Sequence, residues 1–506
     1  MKLYKYSLFL LTILLCVACF EDETTEATRP LSEITIEKIM VGDDCIDSVC
    51  NIGKNEVLKF VPIVSQTNEE KLLTYTWEVD LKVCSHDTEY EFVGKDLGTF
   101  KCRLIVENSD GKSFYPFIIN VNSEYEEGIT VLSRDAEGRS MLSFMQTPMN
   151  PGEEAVFTKG DCFEVNNPDI NFASNPTDII HGNEFLVISC MGGDTGEDVP
   201  TIYYLNEKTL VVENMVEVPE YPDFKPVKLL LPKVMTDGIY PVLCKDGNVY
   251  EFSPSEAVVQ RPTKLQSNYA QSTIVINDGY YYDILLWDNR LKALARMYYG
   301  YGPFYCSTEY NYMYTDTMTV EQFQEKNYFK DQKDFVCMVR VNMTKEQQKT
   351  ETDETIVITA GGINWNYLRL YTGFWLEGTA ESTYLADNGG FSIAGIPVNL
   401  NDKTPVIANR TYKTMFFADG NKIRCWHYMT DRIDLNKVLQ TVGTESAVIT
   451  GFEISSDHKK TYVAFYEPEQ EGLNGSVWVI DTDKGTVLEK YDNVCYQPVK
   501  ILYKYK

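Results

Sequence analysis

The sequence predicts an all-β protein with two domains, a small β-sandwich followed by a β-propeller of seven blades, with eight blades as the alternative. Short runs of alternating polar and apolar residues recur along the chain, and turn signals such as Asp110-Gly111 separate them. After residue 129 almost no segment has the 3.6-residue period of an amphipathic helix. Strand–turn–strand units then repeat at a separation typical of propeller blades.

The first residues of the chain have the order of a bacterial secretory signal. A lysine-bearing start is followed by an apolar run from Leu8 to Val17. That run is too short to cross a bilayer, for which about 20 apolar residues are needed. The pattern predicts a signal peptide over residues 1–18 and lipidation of Cys19, although Cys16 stands where a lipobox usually has Leu. An ordinary cleaved signal with an unmodified cysteine is the alternative.

Residues 19–30 are predicted to be a lipidated tether. The acidic run Glu21-Asp22-Glu23 resembles the export signal that directs Bacteroidota lipoproteins to the outer face of the outer membrane. We therefore expect a lipid-anchored outer-membrane protein that faces the cell exterior. A solvated acidic linker is a second interpretation of the same run, and both can be true together.

Composition excludes some partners. The formal net charge of −28 becomes −30 once the two lysines of residues 1–18 are removed, which argues against nucleic acid as a ligand. Of the 13 cysteines, several lie inside apolar runs and are expected to pack as small hydrophobic residues. Cys45 and Cys50 share one short segment, so they are the pair we expect if any disulfide forms.

Residues 31–122 are predicted to form the sandwich, because they contain five or more short strands and a lone tryptophan, Trp77, on a middle strand. This region and its junction with the rest of the chain contain four motifs: Tyr75-x-Trp77, Gly98-Thr99-Phe100-x-x-Arg103-Leu104-x-Val106, Val121-Asn122-Ser123-x-Tyr125-x-x-Gly128-Ile129-x-Val131-Leu132 and Gly138-Arg139-Ser140-x-Leu142-x-Phe144. With these motifs the chain resembles the PKD-like family lipoproteins of Bacteroidota, which implies an immunoglobulin-like or PKD-like sandwich. The resemblance implies that Trp77 fills the sandwich core and that Gly98 lies in a turn. It also implies an accessory role beside SusC- and SusD-like TonB-dependent transporters.

Residues 123–506 are predicted to form the propeller. The segment around Trp478 ends in Asp481-Thr482 and a tight Lys-Gly turn, as the outer hairpin of a blade commonly does. Tyr204 and Tyr250 are 46 residues apart, and Trp426 and Trp478 are 52 apart. A four-stranded blade takes roughly 40–50 residues, so about 380 residues give seven or eight blades. A pair of large β-sandwiches or an irregular β domain is the alternative.

No motif in the sequence predicts catalysis, a metal or a cofactor. His86, His181, His427 and His458 are the only histidines, and no two of them have a metal-ligand spacing. A nucleophile elbow and a phosphate-binding glycine loop are also absent from the sequence. Acidic loops such as that around Asp194 could bind Ca²⁺ through oxygen ligands, but we interpret them as solvated loops.

Aromatic residues provide the predicted ligand-binding site. Tyrosine and tryptophan combine a flat apolar face with a polar tip, which suits them to stack on sugar rings or to hold extended peptides. Glycine and proline interrupt the first of two aromatic clusters, so part of it is expected in a loop. Packing between blades is the alternative role. The candidates are Tyr298, Tyr299, Tyr301, Tyr305, Tyr310, Tyr312, Tyr314, Trp365 and Trp375.

These observations favour a non-catalytic surface lipoprotein that captures an oligosaccharide or an oligopeptide for a SusC/SusD-like uptake system. One alternative is a propeller glycoside hydrolase or lyase with a carboxylate pair in its central pocket. The other is a structural scaffold for protein partners.

Overall fold

The chain divides into two compact units, residues 1–123 and residues 124–506. Each unit builds its own core from β-sheets. The computed structural model describes residues 30–46, 48–146, 155–157, 160–182, 185–193, 198–219, 224–230, 240–253, 256, 258–260, 269–277, 282–289, 291–298, 304–305, 312–313, 334–350, 353–361, 364–372, 385–393, 399–434 and 436–504.

The first unit is a sandwich of two β-sheets, in agreement with the all-β prediction. Its strands are Ile34–Val41 (β1), Asp44–Ile46 (β2), Val49–Gly53 (β3), Val57–Gln66 (β4), Thr74–Val79 (β5), Lys82–Ser85 (β6), Tyr90–Val93 (β7), Gly98–Glu107 (β8) and Lys112–Asn122 (β9). One sheet has the order β2-β1-β4-β7 and the other has the order β3-β9-β8-β5-β6. Among the described strands of this unit, the pairings are antiparallel except that of β3 with β9.

The sandwich core forms where alternating side chains of both sheets meet. On β8, Cys102, Leu104 and Val106 are buried and the residues between them are not, as the period of two in a strand requires. Trp77 is 1% exposed, packs against Phe60, and donates a hydrogen bond from Nε1 to the Asp87 carbonyl at 2.9 Å. Trp77 therefore lies in the core, where the resemblance places it.

The expected disulfide between Cys45 and Cys50 is wrong. Both thiols are free. Cys45 lies on β2 and Cys50 lies on β3, so the two residues belong to different sheets of the sandwich. A short separation along the chain does not make them partners, because each pairs into a different sheet.

The second unit is a β-propeller, as the sequence predicts. Its strands are Gly128–Arg134 (β10), Ser140–Gln146 (β11), Val156–Phe157 (β12), Pro176–His181 (β13), Phe185–Cys190 (β14), Thr201–Asn206 (β15), Val212–Glu217 (β16), Pro226–Leu229 (β17), Tyr240–Cys244 (β18), Val249–Ser253 (β19), Val258–Gln260 (β20), Tyr269–Asn277 (β21), Tyr282–Asp288 (β22), Ala293–Tyr298 (β23), Phe304–Tyr305 (β24), Tyr312–Met313 (β25), Asp334–Asn342 (β26), Asp353–Gly361 (β27), Asn364–Thr372 (β28), Leu385–Ile393 (β29), Val406–Asn409 (β30), Thr414–Asp419 (β31), Lys422–His427 (β32), Val438–Thr441 (β33), Val448–Ile454 (β34), Lys460–Tyr466 (β35), Gly475–Asp481 (β36), Val487–Cys495 (β37) and Gln497–Lys504 (β38). Two short helices, Cys162–Asn166 (α1) and Lys345–Thr350 (α2), connect strands. No helix in the described part of the chain has the length and apolarity that a membrane crossing requires.

The described strands of this unit form seven blades, the number that the sequence favours. Blade 1 contains β38, β10, β11 and β12, so the last strand of the chain completes the sheet that the first strands begin. Blades 2 to 7 follow in chain order as β13–β16, β17–β20, β21–β25, β26–β29, β30–β33 and β34–β37. The inner strands β26 and β30 of blades 5 and 6 also pair with each other in parallel, so these two blades are joined into one eight-stranded sheet. Within each blade the paired strands are antiparallel.

Contacts between neighbouring blades run around a closed ring, mostly through the inner strands. The inner strand of blade 1, β38, contacts β13 on one side and β34 on the other. Contacts continue from β13 to β17, from β18 to β21, and then through β26 and β30 back to β34. Pairing of β38 with β10 thus closes the ring with main-chain hydrogen bonds between the two ends of the unit.

The connections between strands alternate between two edges of the ring. One of them is the edge where the inner strand of each blade begins. We call this the entry edge; Pro176 begins β13 there and Gln497 begins β38 there. Because neighbouring strands are antiparallel, the loop between the second and third strands of each blade also lies at the entry edge. The other connections lie at the opposite edge.

Candidate functional site

The nine aromatic candidates from the sequence stay predictions. Their side chains, like Cys19, lie outside the described residues. Four of these candidates have a described backbone position, in β23, β24, β25 and β28: Tyr298, Tyr305, Tyr312 and Trp365. The other five lie wholly outside the described residues: Tyr299, Tyr301, Tyr310, Tyr314 and Trp375.

A cleft at the entry edge is the candidate site among the described residues. It lies where blade 7 meets blade 1, beside the strand that closes the ring, and we call it the seam cleft. Three connections form its walls: residues 135–139 between β10 and β11, residues 467–474 between β35 and β36, and Tyr496 between β37 and β38. Its volume is about 510 Å³, which falls in the range of small-molecule sites.

The base of the seam cleft consists of four partly buried side chains. Arg134 ends β10, Tyr466 ends β35, and Tyr496 and Gln497 stand at the start of β38. In the described part of the chain, none of these four side chains has a hydrogen-bond or ion-pair partner. A guanidinium, two phenols and an amide therefore face the cleft with their hydrogen-bonding groups available to a ligand.

The wall formed by residues 135–139 is held by its own acidic residue. Arg139 Nε lies 2.6 Å from Asp135 Oδ2, and this carboxylate raises the pKa of Arg139. Asp135 Oδ1 also accepts hydrogen bonds from the backbone amides of Glu137 at 3.0 Å and Arg139 at 2.8 Å. Asp135 is thus used in shaping the turn.

The opposite wall, residues 467–474, is also fixed by internal hydrogen bonds. The backbone amide of Glu467 donates to the Asn474 carbonyl at 2.9 Å. Gln470 Nε2 donates to the Leu473 carbonyl at 2.9 Å and to Asn493 Oδ1 at 2.7 Å. These contacts hold the loop in one conformation, so the wall needs little ordering when a ligand binds.

A glycine allows the two sides of the cleft to approach closely. A Cβ atom on Gly475 would lie 2.0 Å from the Tyr496 carbonyl oxygen, which no side chain tolerates. Gly475 begins β36 directly after the wall formed by residues 467–474, and it pairs with both Tyr466 and Cys495. The absence of a side chain therefore brings Tyr466 and Tyr496 to the same cleft.

A second polar feature lies on the inner strands near the entry edge. In blades 1, 2 and 3 the pairing register of the inner strand shifts by one residue, at Val499, Thr177 and Val227. This β-bulge recurs at the same place in each blade. The residues that follow it are charged: Lys500 in blade 1, Asp178 in blade 2 and Lys228 in blade 3.

These three charged residues connect neighbouring blades. Lys500 Nζ lies 3.9 Å from Asp178 Oδ1, and Asp178 Oδ2 accepts a hydrogen bond from the backbone amide of Leu229 at 2.9 Å. Burial lowers the pKa of Lys228 to about 8, and the nearby charge of Lys500 adds to this effect while Asp178 opposes it. The carboxylate of Asp178 therefore links blade 2 to both adjacent blades.

A third buried polar cluster lies at the opposite edge. His181 Nε2 is 2.7 Å from Glu207 Oε2, and the ammonium group of Lys504 donates to the Glu207 carbonyl oxygen. Burial lowers the pKa of His181, although Glu207 opposes the effect, and burial lowers the pKa of Lys504 to about 8. Lys504 is completely buried, so this cluster holds the end of β38 in place and offers no open surface.

The described residues contain no cluster of possible metal ligands. Among the residues that the structure describes, no three histidine, cysteine, aspartate or glutamate side chains are placed to hold a metal ion.

Comparisons with known proteins give only distant similarity. No known protein-family profile matches the chain, and no curated protein sequence is significantly similar to it. A quinoprotein alcohol dehydrogenase-like protein of Bacteroides thetaiotaomicron shares 17% identity over 93% of this chain and 100% of its own, with a TM-score of 0.46. A DUF4784 family protein of Bacteroides caccae shares 8% identity over the same fractions, with a TM-score of 0.30. At this similarity the assignment of a propeller depends on the sheets of this chain alone.

Reasoning from the sequence did not find the seam cleft or the charged residues of the inner strands. One signal for the latter is present in the sequence: Pro226-Val227-Lys228-Leu229 and Pro498-Val499-Lys500-Ile501 are nearly the same tetrapeptide. A proline at the start of a strand and a lysine two residues later mark the inner strands of blades 3 and 1. No comparable signal marks the cleft, since its base combines residues 134, 466, 496 and 497.

Proposed function

We propose that this protein is a non-catalytic, lipid-anchored surface protein that captures oligosaccharides for a SusC/SusD-like uptake system. The capture of oligosaccharides is best supported by the composition of the seam cleft. Its base presents two tyrosines, an arginine and a glutamine whose side chains have no partner in the described part of the chain. Aromatic faces that stack on sugar rings, together with a few convergent hydrogen-bonding groups, are what a glycan site requires.

The position of the cleft favours a glycan over an extended peptide. Extended peptides are commonly bound by adding a strand to an open sheet edge. At the seam cleft β10 lies between β11 and β38, and β35 lies between β34 and β36, so both strands are already paired on each side. The cleft is therefore built from loops and strand ends, which bind a compact ligand through side chains.

Support for the lipid anchor and for the transporter partner comes from the sequence. The apolar run before Cys19 and the acidic run after it support lipidation and export to the outer face of the outer membrane. The resemblance of residues 31–145 to PKD-like family lipoproteins supports a place beside SusC- and SusD-like proteins. Association with such a transporter would be tested by affinity capture of the native protein from detergent-solubilised outer membranes.

Isothermal titration with a panel of oligosaccharides tests the capture function. Tyr466→Ala and Tyr496→Ala should each weaken binding roughly 5- to 150-fold, which corresponds to the contribution of about 1–3 kcal/mol that an aromatic ring makes when it stacks on a nucleic-acid base. Tyr412→Ala is the matched control, since Tyr412 is partly buried and lies between β30 and β31 at the opposite edge. Unchanged binding by both cleft variants would show that the seam cleft is not the glycan site.

The aromatic segment predicted from the sequence requires its own test. Deletion of residues 298–314 should weaken binding if Tyr298 to Tyr314 contact the ligand. Binding that is lost in this deletion and kept in Tyr466→Ala would move the site from the seam cleft to the aromatic segment.

A further inference from the structure

Arg134 suggests which class of glycan the seam cleft binds. It is the last residue of β10, where its backbone pairs with Gln497 and Ser140, and its side chain is partly buried in the cleft base. No ion pair or side-chain hydrogen bond to it occurs among the described residues. A guanidinium carries five N–H donors in a planar fork, and burial removes part of the water that would otherwise bind them.

The neighbouring carboxylate does not neutralise Arg134. Asp135 is the next residue, but its two oxygens are occupied by Arg139 Nε at 2.6 Å and by two backbone amides. The other acidic residues of the cleft, Glu137 and Glu471, are exposed on the rim. The cleft lining carries three carboxylates and two arginines, and Arg139 is the arginine that pairs with Asp135 and lies 3.8 Å from Glu137. Arg134 is therefore the cation of the cleft that has no carboxylate partner among the described residues.

We infer that the seam cleft binds acidic oligosaccharides, with the Arg134 guanidinium forming a bidentate ion pair with a uronate carboxylate. Tyr466 and Tyr496 would then pack against the sugar rings on either side, and Gln497 would bind a ring hydroxyl. This inference rests on the proposed capture function and names the ligand class of the same site. Planar Arg–carboxylate pairs are among the strongest and most directional contacts that such a site can make.

The test compares acidic and neutral ligands of the same size. The probes are tetrasaccharides of galacturonate, mannuronate and glucuronate-containing hyaluronan, the methyl ester of the galacturonate tetramer, and neutral cellotetraose. Each is titrated into the full-length mature protein in detergent. We expect the free acid of at least one uronate probe to bind roughly 10- to 100-fold more tightly than its neutral counterpart, as a charge-assisted pair provides.

Two arginine variants separate the role of Arg134 from a general charge effect. Arg134→Gln should remove the preference for the acid while neutral binding changes less than about threefold. Arg432→Gln is the matched control, because Arg432 is exposed and lies between β32 and β33 at the opposite edge. It should keep both the affinity and the preference of the wild type. Circular dichroism spectra and melting temperatures equal to the wild type show that each variant is folded.

The outcomes distinguish this inference from the capture function. Binding of cellotetraose or of the methyl ester as tightly as any acid, with dependence on Tyr466 and Tyr496, overturns the acidic-ligand inference and keeps the capture function. An acid preference that Arg134→Gln does not change overturns the assignment to Arg134. No binding of any probe, or tighter Arg134-dependent binding of an acidic peptide such as hexaglutamate, overturns both.

Discussion

Replacement of Lys228 by methionine should make the propeller more stable. Lys228 lies on β17 beside Asp178 and Lys500, and its pKa is lowered from 10.5 to about 8, first by burial and then by Lys500. Each pKa unit corresponds to 1.36 kcal/mol between the two protonation states, so holding the ammonium in place costs up to about 3 kcal/mol at pH 7. Methionine keeps most of the side-chain volume and carries no charge.

The size of this effect depends on pH, which can be checked. Below pH 8 Lys228 is protonated in both the folded and the unfolded states, so the full cost is present. Between about pH 8 and pH 10.5 the folded state releases the proton while the unfolded state keeps it, and the cost disappears. The advantage of Lys228→Met should therefore be largest at pH 7 and should shrink as the pH approaches 10.5.

Urea unfolding at pH 7 and pH 10, followed by tryptophan fluorescence, measures both free energies of unfolding. Lys459→Met is the control, because Lys459 is exposed in the loop between β34 and β35 and exposed substitutions usually change stability by less than about 0.5 kcal/mol. A Lys228→Met protein that is less stable than the wild type at pH 7, or a stability difference that does not vary with pH, would refute the reasoning.

Three further predictions concern the core, the cleft and the anchor. Trp77→Ala should destabilise the first unit by roughly 3–5 kcal/mol, since Trp77 fills the sandwich core and donates to the Asp87 carbonyl; a loss below about 1 kcal/mol in denaturant unfolding would contradict its core role. Gly475→Ala should cost roughly 1–3 kcal/mol and weaken glycan binding, because the new methyl group meets the Tyr496 carbonyl oxygen; unchanged binding and melting temperature would show that the two cleft walls move independently. Cys19→Ala should abolish incorporation of labelled fatty acid and release the protein from the outer-membrane fraction; label retained in the variant would place the lipid elsewhere.

The sequence predicts the fold class well because repeated local signals encode it. Alternating runs and turn dipeptides occur in nearly every blade, so no single misread strand changes the conclusion that the chain is all-β. The repeat length gives seven or eight blades, and insertions that lengthen some units favour seven. The pairing of β38 with β10 shows how the last strand completes the first blade. Trp77 is a similar case, since a large apolar side chain on a middle strand of a small sandwich is expected to be buried in its core.

The site could not be predicted in the same way. Arg134 and Gln497 become neighbours only because the two ends of the propeller pair, and Tyr466 joins them only because Gly475 permits a close approach. A ring closed by residues more than 350 positions apart leaves no local pattern in the sequence. The aromatic candidates from Tyr298 to Tyr314 are dense along the chain, which indicates aromatic content but not convergence on one surface. Cys45 and Cys50 are likewise close along the chain, but they lie on separate sheets.

Titration of the wild-type protein and of Tyr466→Ala with uronate and neutral tetrasaccharides tests the central proposal most directly. We expect Tyr466→Ala to bind at least about fivefold more weakly than the wild type and Tyr412→Ala to bind as the wild type does. Equal affinity of wild type and Tyr466→Ala for every oligosaccharide that binds would contradict it.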